Sequence, residues 1–134
     1  MAAPSHKPAA NDFSFPRAMR LAHNLEYQAV YNAKVRKSRG PLTVWALPTG
    51  RPHPRLGLSI GRKVGNAVVR NRLKRRIREA FRLIQHQLPN LDFVVSSSAH
   101  DEGTLEDYQR ALLDVSLLLT KEWQRRTPPP PHVL

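Results

Sequence analysis

The sequence predicts an α/β domain of α+β type: a mixed four-stranded sheet packed with about three helices, in the order α-β-β-β-α-β-α. Three observations predict it. Residues 69–84 contain neither Gly nor Pro and place Val69, Leu73, Ile77, Ala80, Phe81 and Ile84 at i, i+4, i+8, i+11, i+12 and i+15, the spacing of one buried helix stripe. Short apolar runs at 42–47, 55–60 and 92–97 stand on both sides of that helix and have strand character. A second amphipathic stripe follows the last of these runs.

Taken in order, residues 1–15 are rich in Ala, Pro, Ser and Asn and read as a flexible N-terminal arm that docks through Phe13 and Phe15. Pro16 starts the ordered domain, 16–126. Asn24 is the expected N-cap of a helix running to about Asn32. On it Tyr27, Val30 and Tyr31 share a face. From spacing alone both tyrosines read as core with their hydroxyls at the surface; stacking on unpaired bases is the alternative.

Residues 33–40, with Lys34, Arg36, Lys37 and Arg39, read as a short basic strand and turn. In 42–47, Leu42, Val44 and Ala46 alternate with Thr43, Trp45 and Leu47, a two-faced strand. PTGRPHP at 48–54 is a loop. Residues 55–60 alternate again, with Leu56, Leu58 and Ile60 inward. These two strands are expected to pair as an antiparallel hairpin.

Gly61 and Gly65 bracket the entry to the long helix, and Asn66 is placed to cap it. Pro89-Asn90 stops and turns the chain. Residues 92–97 are a short buried-type strand, so strand, helix and strand make a crossover with a parallel pair. Thr104 caps the last helix, with Asp107 in the capping-box position where Glu or Gln is usual. Its expected face is Tyr108, Ala111, Leu112, Val115, Leu118, Leu119 and Glu122. TPPPPHVL at 127–134 ends it in an extended tail.

The charge is concentrated. The 134 residues carry a formal +12. Residues 61–82 (GRKVGNAVVRNRLKRRIREAFR) hold nine basic residues against the single acid Glu79, a net +8. On a helical wheel Asn71, Arg75, Arg78 and Arg82 lie opposite the apolar stripe. Arg70 and Lys74 lie on one flank, Arg72 and Arg76 on the other. The basic groups thus cover about two-thirds of the circumference. A solvated helix face interleaves Glu with its Lys and Arg; this one does not. A rigid rod of fixed positive charge suits a polyanion, nucleic acid before membrane.

Several function classes find no support in the residues. GRKVGNAV is neither a Walker A loop nor GxGxxG. Glu102, Glu106 and Asp107 sit at a helix N-terminus, where the macrodipole favours acids. The six histidines show no metal-ligand spacing, and no cysteine is available for disulfide or thiolate chemistry. Ser96-Ser97-Ser98 has no base marked to activate it. No catalytic residue and no metal ligand is expected. Without an apolar run of about 18 residues or a secretory signal, the expected location is the cytoplasm.

The stretch KVGNAVVRNRLKRRIREAFR at 63–82, with Arg70-Asn71-Arg72 at its centre, resembles the signature of the bacterial ribonuclease P protein subunit. Arg55-Leu56-Gly57-Leu58-Ser59-Ile60 resembles the strand before that signature. Arg20-Leu21 with Tyr27 and Tyr31 resembles the first helix, Leu42 to Leu47 with Trp45 a family strand, and Asp92-Phe93-Val94-Val95 the last strand. The likeness covers roughly 17–120. It implies a small two-layer α/β sandwich with a left-handed βαβ crossover. It implies a protein that binds the catalytic RNA of ribonuclease P one to one and assists removal of the 5′ leader from precursor tRNA, with catalysis and Mg²⁺ carried by the RNA. By position it implies RNA contacts at Lys63, Asn66, Arg70, Asn71, Arg72, Lys74, Arg75 and Arg78, and a leader cleft at Tyr27, Tyr31 and Trp45. That reverses the core reading of the tyrosines. One departure stands out: where the family carries Arg, often followed by Pro, after the last strand, this chain has Ser96-Ser97-Ser98-Ala99-His100, so that contact is lost or moved to His100. Composition alone leaves a structural RNA-binding protein, such as one of the ribosome, as the alternative.

Overall fold

The computed structural model describes residues 14–126. Strands β1 (Arg36–Arg39), β2 (Leu42–Pro48), β3 (Arg55–Ser59) and β4 (Leu91–Ser97) form one sheet in the spatial order β1-β2-β4-β3. Helices α1 (Asn24–Asn32), α2 (Ala67–Ile84) and α3 (Leu105–Arg126) complete the expected order. Phe13 and the tail 127–134 lie outside the described residues.

The expected hairpin of β2 with β3 does not form. β4 lies between them, antiparallel to β2 from Leu42↔Ser97 to Pro48↔Leu91 and parallel to β3 from Arg55↔Asp92 to Ser59↔Ser96. The cause is the composition of β4. Leu91 to Val95 are all buried; a strand apolar on both faces needs a neighbour on each edge and cover on each face. The Pro-rich loop after β2 therefore carries the chain past the β4 position, and α2 returns it to fill the gap as the parallel partner of β3.

The side-chain alternation of β2 holds. Leu42, Val44 and Ala46 join Leu56, Phe93 and Val95 in the main core beneath α2 and α3. Val94 faces the other way and packs with Leu21 and Val30, under Tyr27, Tyr31 and Trp45. The sheet and the α2–α3 layer make the sandwich, and the nine-residue α1 covers part of the second face.

Each helix starts on local chemistry. In α1 the Glu26 carboxylate accepts from the N–H groups of His23 (3.2 Å) and Ala22 (3.1 Å). That makes His23 the cap position and Asn24 the first helical residue, one place from expectation. Asn66 caps α2, its Oδ1 accepting from Val69 N–H at 3.0 Å. Thr104 and Asp107 close a full capping box on α3: Thr104 N–H donates to Oδ2 at 3.0 Å, and Asp107 N–H donates to Oγ1 at 3.1 Å.

Two stripe residues depart from expectation. Val69 is 41% exposed, because it stands in the first turn over Gly65 and short of the sheet. Leu118 is 43% exposed, and Ser116 is buried instead, its Oγ donating to Leu113 O at 2.8 Å. The buried face of α3 centres near Leu112 and Leu119. At 100° per residue Leu118 stands about 100° from that centre and Ser116 about 60°.

Candidate nucleic-acid interface

The apolar stripe of α2 seats the helix on the sheet through Leu73, Ile77, Ala80, Phe81 and Ile84. Its cationic side chains then have a fixed outward orientation. Asn71, Arg72, Arg75 and Arg78 are exposed; Arg70, Lys74 and Arg76 are half-buried. Lys63 is exposed on a 3₁₀ turn, Arg62–Val64, ahead of the helix. Asn66 spends its carbonyl on the cap, which leaves its NH₂ for a partner.

Counter-ions are few. Among the described residues, three of the nine basic side chains of 61–82 have an acid partner: Arg82 with Glu79, and Arg72 and Arg76 with Glu102. The Arg82 guanidinium, chiefly by hydrogen bonding, holds the Glu79 carboxyl below its ordinary range. Arg62, Lys63, Arg70, Lys74, Arg75 and Arg78 have none. Arg70 Nε is buried with no hydrogen-bond partner, a donor whose burial is costly unless something satisfies it.

Five of the eight predicted RNA contacts divide among three surfaces, and Lys63, Asn66 and Arg70 line none of these. Asn71, Arg75 and Arg78 line a shallow basin of about 430 Å³ with Arg20 and Arg82. Lys74 and Arg78 share a cavity of about 110 Å³ with Arg20, Tyr27 and Leu58. Arg72 and Arg75 face Arg76 and Glu102 on the other flank. Arg20, Arg36 and Arg76 were not among the sequence candidates. Arg20 stands beside Phe15, its Cζ 4.7 Å from the ring centre, and Phe15 packs on Phe81 at 5.6 Å.

The three aromatic candidates lie together on the α1 face of the sheet. The Tyr31 and Trp45 rings meet edge to face at 5.0 Å. Arg36, the register partner of Trp45 on β1, places its Cζ 5.9 Å from the Trp45 ring centre. Tyr27 accepts a hydrogen bond on its hydroxyl from Leu58 N–H at 3.2 Å. All three are half-buried, so the core and surface readings each describe one side of these rings. Gly57 makes the seat possible: a Cβ there would come within 2.7 Å of Tyr27 Cζ.

An ion-pair cluster sets the position of α1. Arg55, buried in β3, donates Nε to Asp92 Oδ1 (2.8 Å), Nη2 to Asp92 Oδ2 (2.6 Å) and Nη1 to Glu26 Oε2 (2.6 Å). Burial pushes the Glu26 carboxyl up, but hydrogen bonds from Ala22 N–H, Arg55 and His23 N–H outweigh it and bring the pKa down to about 2. Sequence reasoning passed over this cluster, although Asp92 beside an apolar run was its signal: a charge in a buried strand needs a partner.

His100, at the departure from the family pattern, is committed internally. Its Nε2 is 2.8 Å from the Tyr108 hydroxyl and its Nδ1 2.9 Å from Ser98 O.

A mixed α/β domain with uncompensated cations on one rigid helix, and half-exposed aromatic rings at its side, defines a class of small basic α/β proteins. The family model Ribonuclease P matches residues 15–121, and the chain belongs to that family. It is 40% identical over 122 residues to the ribonuclease P protein component of Vibrio parahaemolyticus, covering 89% of this chain and 97% of that one. It is 49% identical over 84 residues to that of Methylococcus capsulatus, 62% of this chain and 66% of that one. The Staphylococcus aureus RNase P protein superposes with a TM-score of 0.67 at 31% identity, covering 78% and 97% of the two chains. The Thermotoga maritima RNase P protein gives 0.61 at 28% identity, covering 76% and 96%. Membership makes this a component of an endoribonuclease that acts in tRNA processing.

Proposed function

We propose that this chain binds the RNA subunit of ribonuclease P through α2 and its entry turn, and the single-stranded 5′ leader of precursor tRNA across Tyr27, Tyr31 and Trp45. It thereby assists the cut that produces the mature 5′ end. The observation that carries the reading is the junction at Tyr27, Lys74, Arg78 and Arg20. There the aromatic surface runs directly into the uncompensated face of α2. A leader laid over the rings reaches cations for its phosphates without leaving the protein. Stacking suits leaders of varied sequence because every base has a π-face, at about 1–3 kcal/mol per base.

The RNA contacts assigned are Lys63, Asn66, Arg70, Asn71, Arg72, Lys74, Arg75 and Arg78, one protein to one RNA. Catalysis is assigned to the RNA. Mg²⁺ is assigned to the RNA as well. Among the described residues no helix is long and apolar enough to cross a membrane, and the cytoplasm is the location proposed.

The test is cleavage of a 5′-leader precursor tRNA at low Mg²⁺ and moderate salt, comparing the protein alone, a bacterial ribonuclease P RNA alone, and the two together. The expected result is cleavage at the mature 5′ end in the combined reaction only. A protein without effect on the RNA's activity overturns the reading and leaves general RNA binding, as in another ribonucleoprotein.

A further inference from the structure

Arg72 and Arg76 stand one turn apart on α2 and converge on a single carboxylate from a distant part of the chain. Glu102 Oε1 accepts from Arg76 Nη2 at 3.1 Å, and Glu102 Oε2 lies 3.8 Å from Arg72 Nη1. Each oxygen thus faces one guanidinium, the arrangement a phosphodiester with two free oxygens also satisfies. The loop that presents Glu102 is pinned on both sides of it by one hydroxyl. Tyr108 OH accepts from Gly103 N–H at 3.1 Å and lies 2.8 Å from His100 Nε2. A cavity of about 230 Å³ opens beside the two arginines over Val69, Leu73 and Tyr108, with Asp101 and Glu102 on its wall.

We infer that Arg72 and Arg76 form a two-pronged phosphate site for the partner RNA, and that Glu102 is its internal stand-in, occupying the site until a phosphodiester replaces it. This rests on the reading of α2 as the RNA-binding face. It extends that face around the flank to Arg76 and gives the loop after β4 a role. The three side chains are 59%, 38% and 46% exposed. Ion pairs this exposed are weak and screened by salt, so Glu102 yields to the stronger field of an RNA backbone. Meanwhile it keeps two arginines ordered, and closed to weaker anions, in the free protein.

The experiment measures binding of the full chain to ribonuclease P RNA from about 50 to 200 mM salt. The variants are Glu102→Gln, Arg76→Ala, both together, and Glu106→Gln, an exposed acid in the first turn of α3 with the same change of charge. Glu102→Gln should tighten binding about two- to tenfold at the lowest salt, the two exposed pairs released, and the gain should shrink as salt rises. Arg76→Ala should weaken binding and remove at least half of that gain. Glu106→Gln should match wild type. A Glu102→Gln variant that binds like wild type, or no better than Glu106→Gln, overturns the inference, as does a gain that survives Arg76→Ala intact. Glu102→Gln binding more weakly than wild type also overturns it, making the carboxylate a contact in its own right. In each of these cases wild type still binds the RNA and the wider reading stands; a wild-type chain that does not bind the RNA ends both.

Discussion

Arg55 and Asp92 are register partners in the parallel β3–β4 ladder and close a two-toothed ion pair at 2.8 and 2.6 Å with both side chains buried. The third arm of Arg55 reaches Glu26 on α1. One guanidinium therefore fixes the β3–β4 register and holds the tyrosine-bearing helix over the sheet. Removing Asp92 leaves the buried guanidinium with two of its three hydrogen bonds unmet and Glu26 as its remaining partner. Asp92→Ala is expected to destabilise the fold by about 3–5 kcal/mol, read from urea unfolding at neutral pH.

Glu26 adds a pH dependence of definite sign. Its folded pKa is lowered from 4.5 to about 2, so its stabilisation is complete above about pH 4.5 and is lost as pH falls through about 2. Glu26→Gln is expected to cost on the order of 2 kcal/mol at pH 7. The gap from wild type should narrow steadily below about pH 4.5. A gap that stays constant down to acid pH would show that the carboxylate charge contributes nothing.

How far the sequence could be read depended on whether a signal was local. The caps at Asn66 and at Thr104 with Asp107 were legible because they act within one helical turn. The α2 stripe was legible because five of its six positions meet the sheet. The β2–β3 pairing failed because strand order is decided by β4, which the chain reaches only after both strands are made. Of the candidate surface, the basic face was readable by type and spacing, whereas spacing placed both tyrosines in the core and only the family resemblance grouped Tyr27, Tyr31 and Trp45 as a cleft. Arg20, the Arg36–Trp45 approach and the Glu102 pairs were not: each joins residues whose contact exists only once the fold is complete. Glu102 was read as a helix-terminus acid, and the fold turns it toward α2 instead.

Gly57 tests the seat of the aromatic surface. A Cβ there would lie 2.7 Å from Tyr27 Cζ, 2.8 Å from Tyr27 Cε1 and 2.9 Å from Leu21 Cδ1, and a ring anchored at its hydroxyl cannot yield by rotating a flexible end. Gly57→Ala is expected to cost about 1–3 kcal/mol and to weaken precursor tRNA binding as Tyr27 is displaced. Thermal unfolding gives the first effect and precursor affinity the second. Unchanged values for both would mean that the ring and strand are not in close contact.

Tyr31 separates leader binding from packing more cleanly than Tyr27, whose hydroxyl also serves Leu58 N–H. Tyr31→Ala removes one stacking surface beside Trp45. The protein assembled with ribonuclease P RNA should then bind precursor tRNA about tenfold more weakly, at 1–3 kcal/mol per base, while mature tRNA is unaffected. Equal loss for both substrates would place Tyr31 in the fold and not in a leader cleft.

The basic face of α2 should declare itself through salt. Each phosphate neutralised releases condensed counter-ions, with a slope of log K on log salt of about −0.9 per contact on duplex and −0.7 on single strands. Six side chains of 61–82 stand without an acid partner among the described residues. If about 6–8 phosphates are met in all, the slope should lie between about −4 and −7. Arg75 and Arg78 are exposed, lie off the apolar stripe and line one basin, so replacing both by Ala should leave the fold intact. The slope should become shallower by about 1.5, and affinity should fall most at low salt. Binding that is lost equally at every salt concentration would mean that these two arginines act by shape and not by charge. A wild-type slope near zero would remove α2 as the principal binding element.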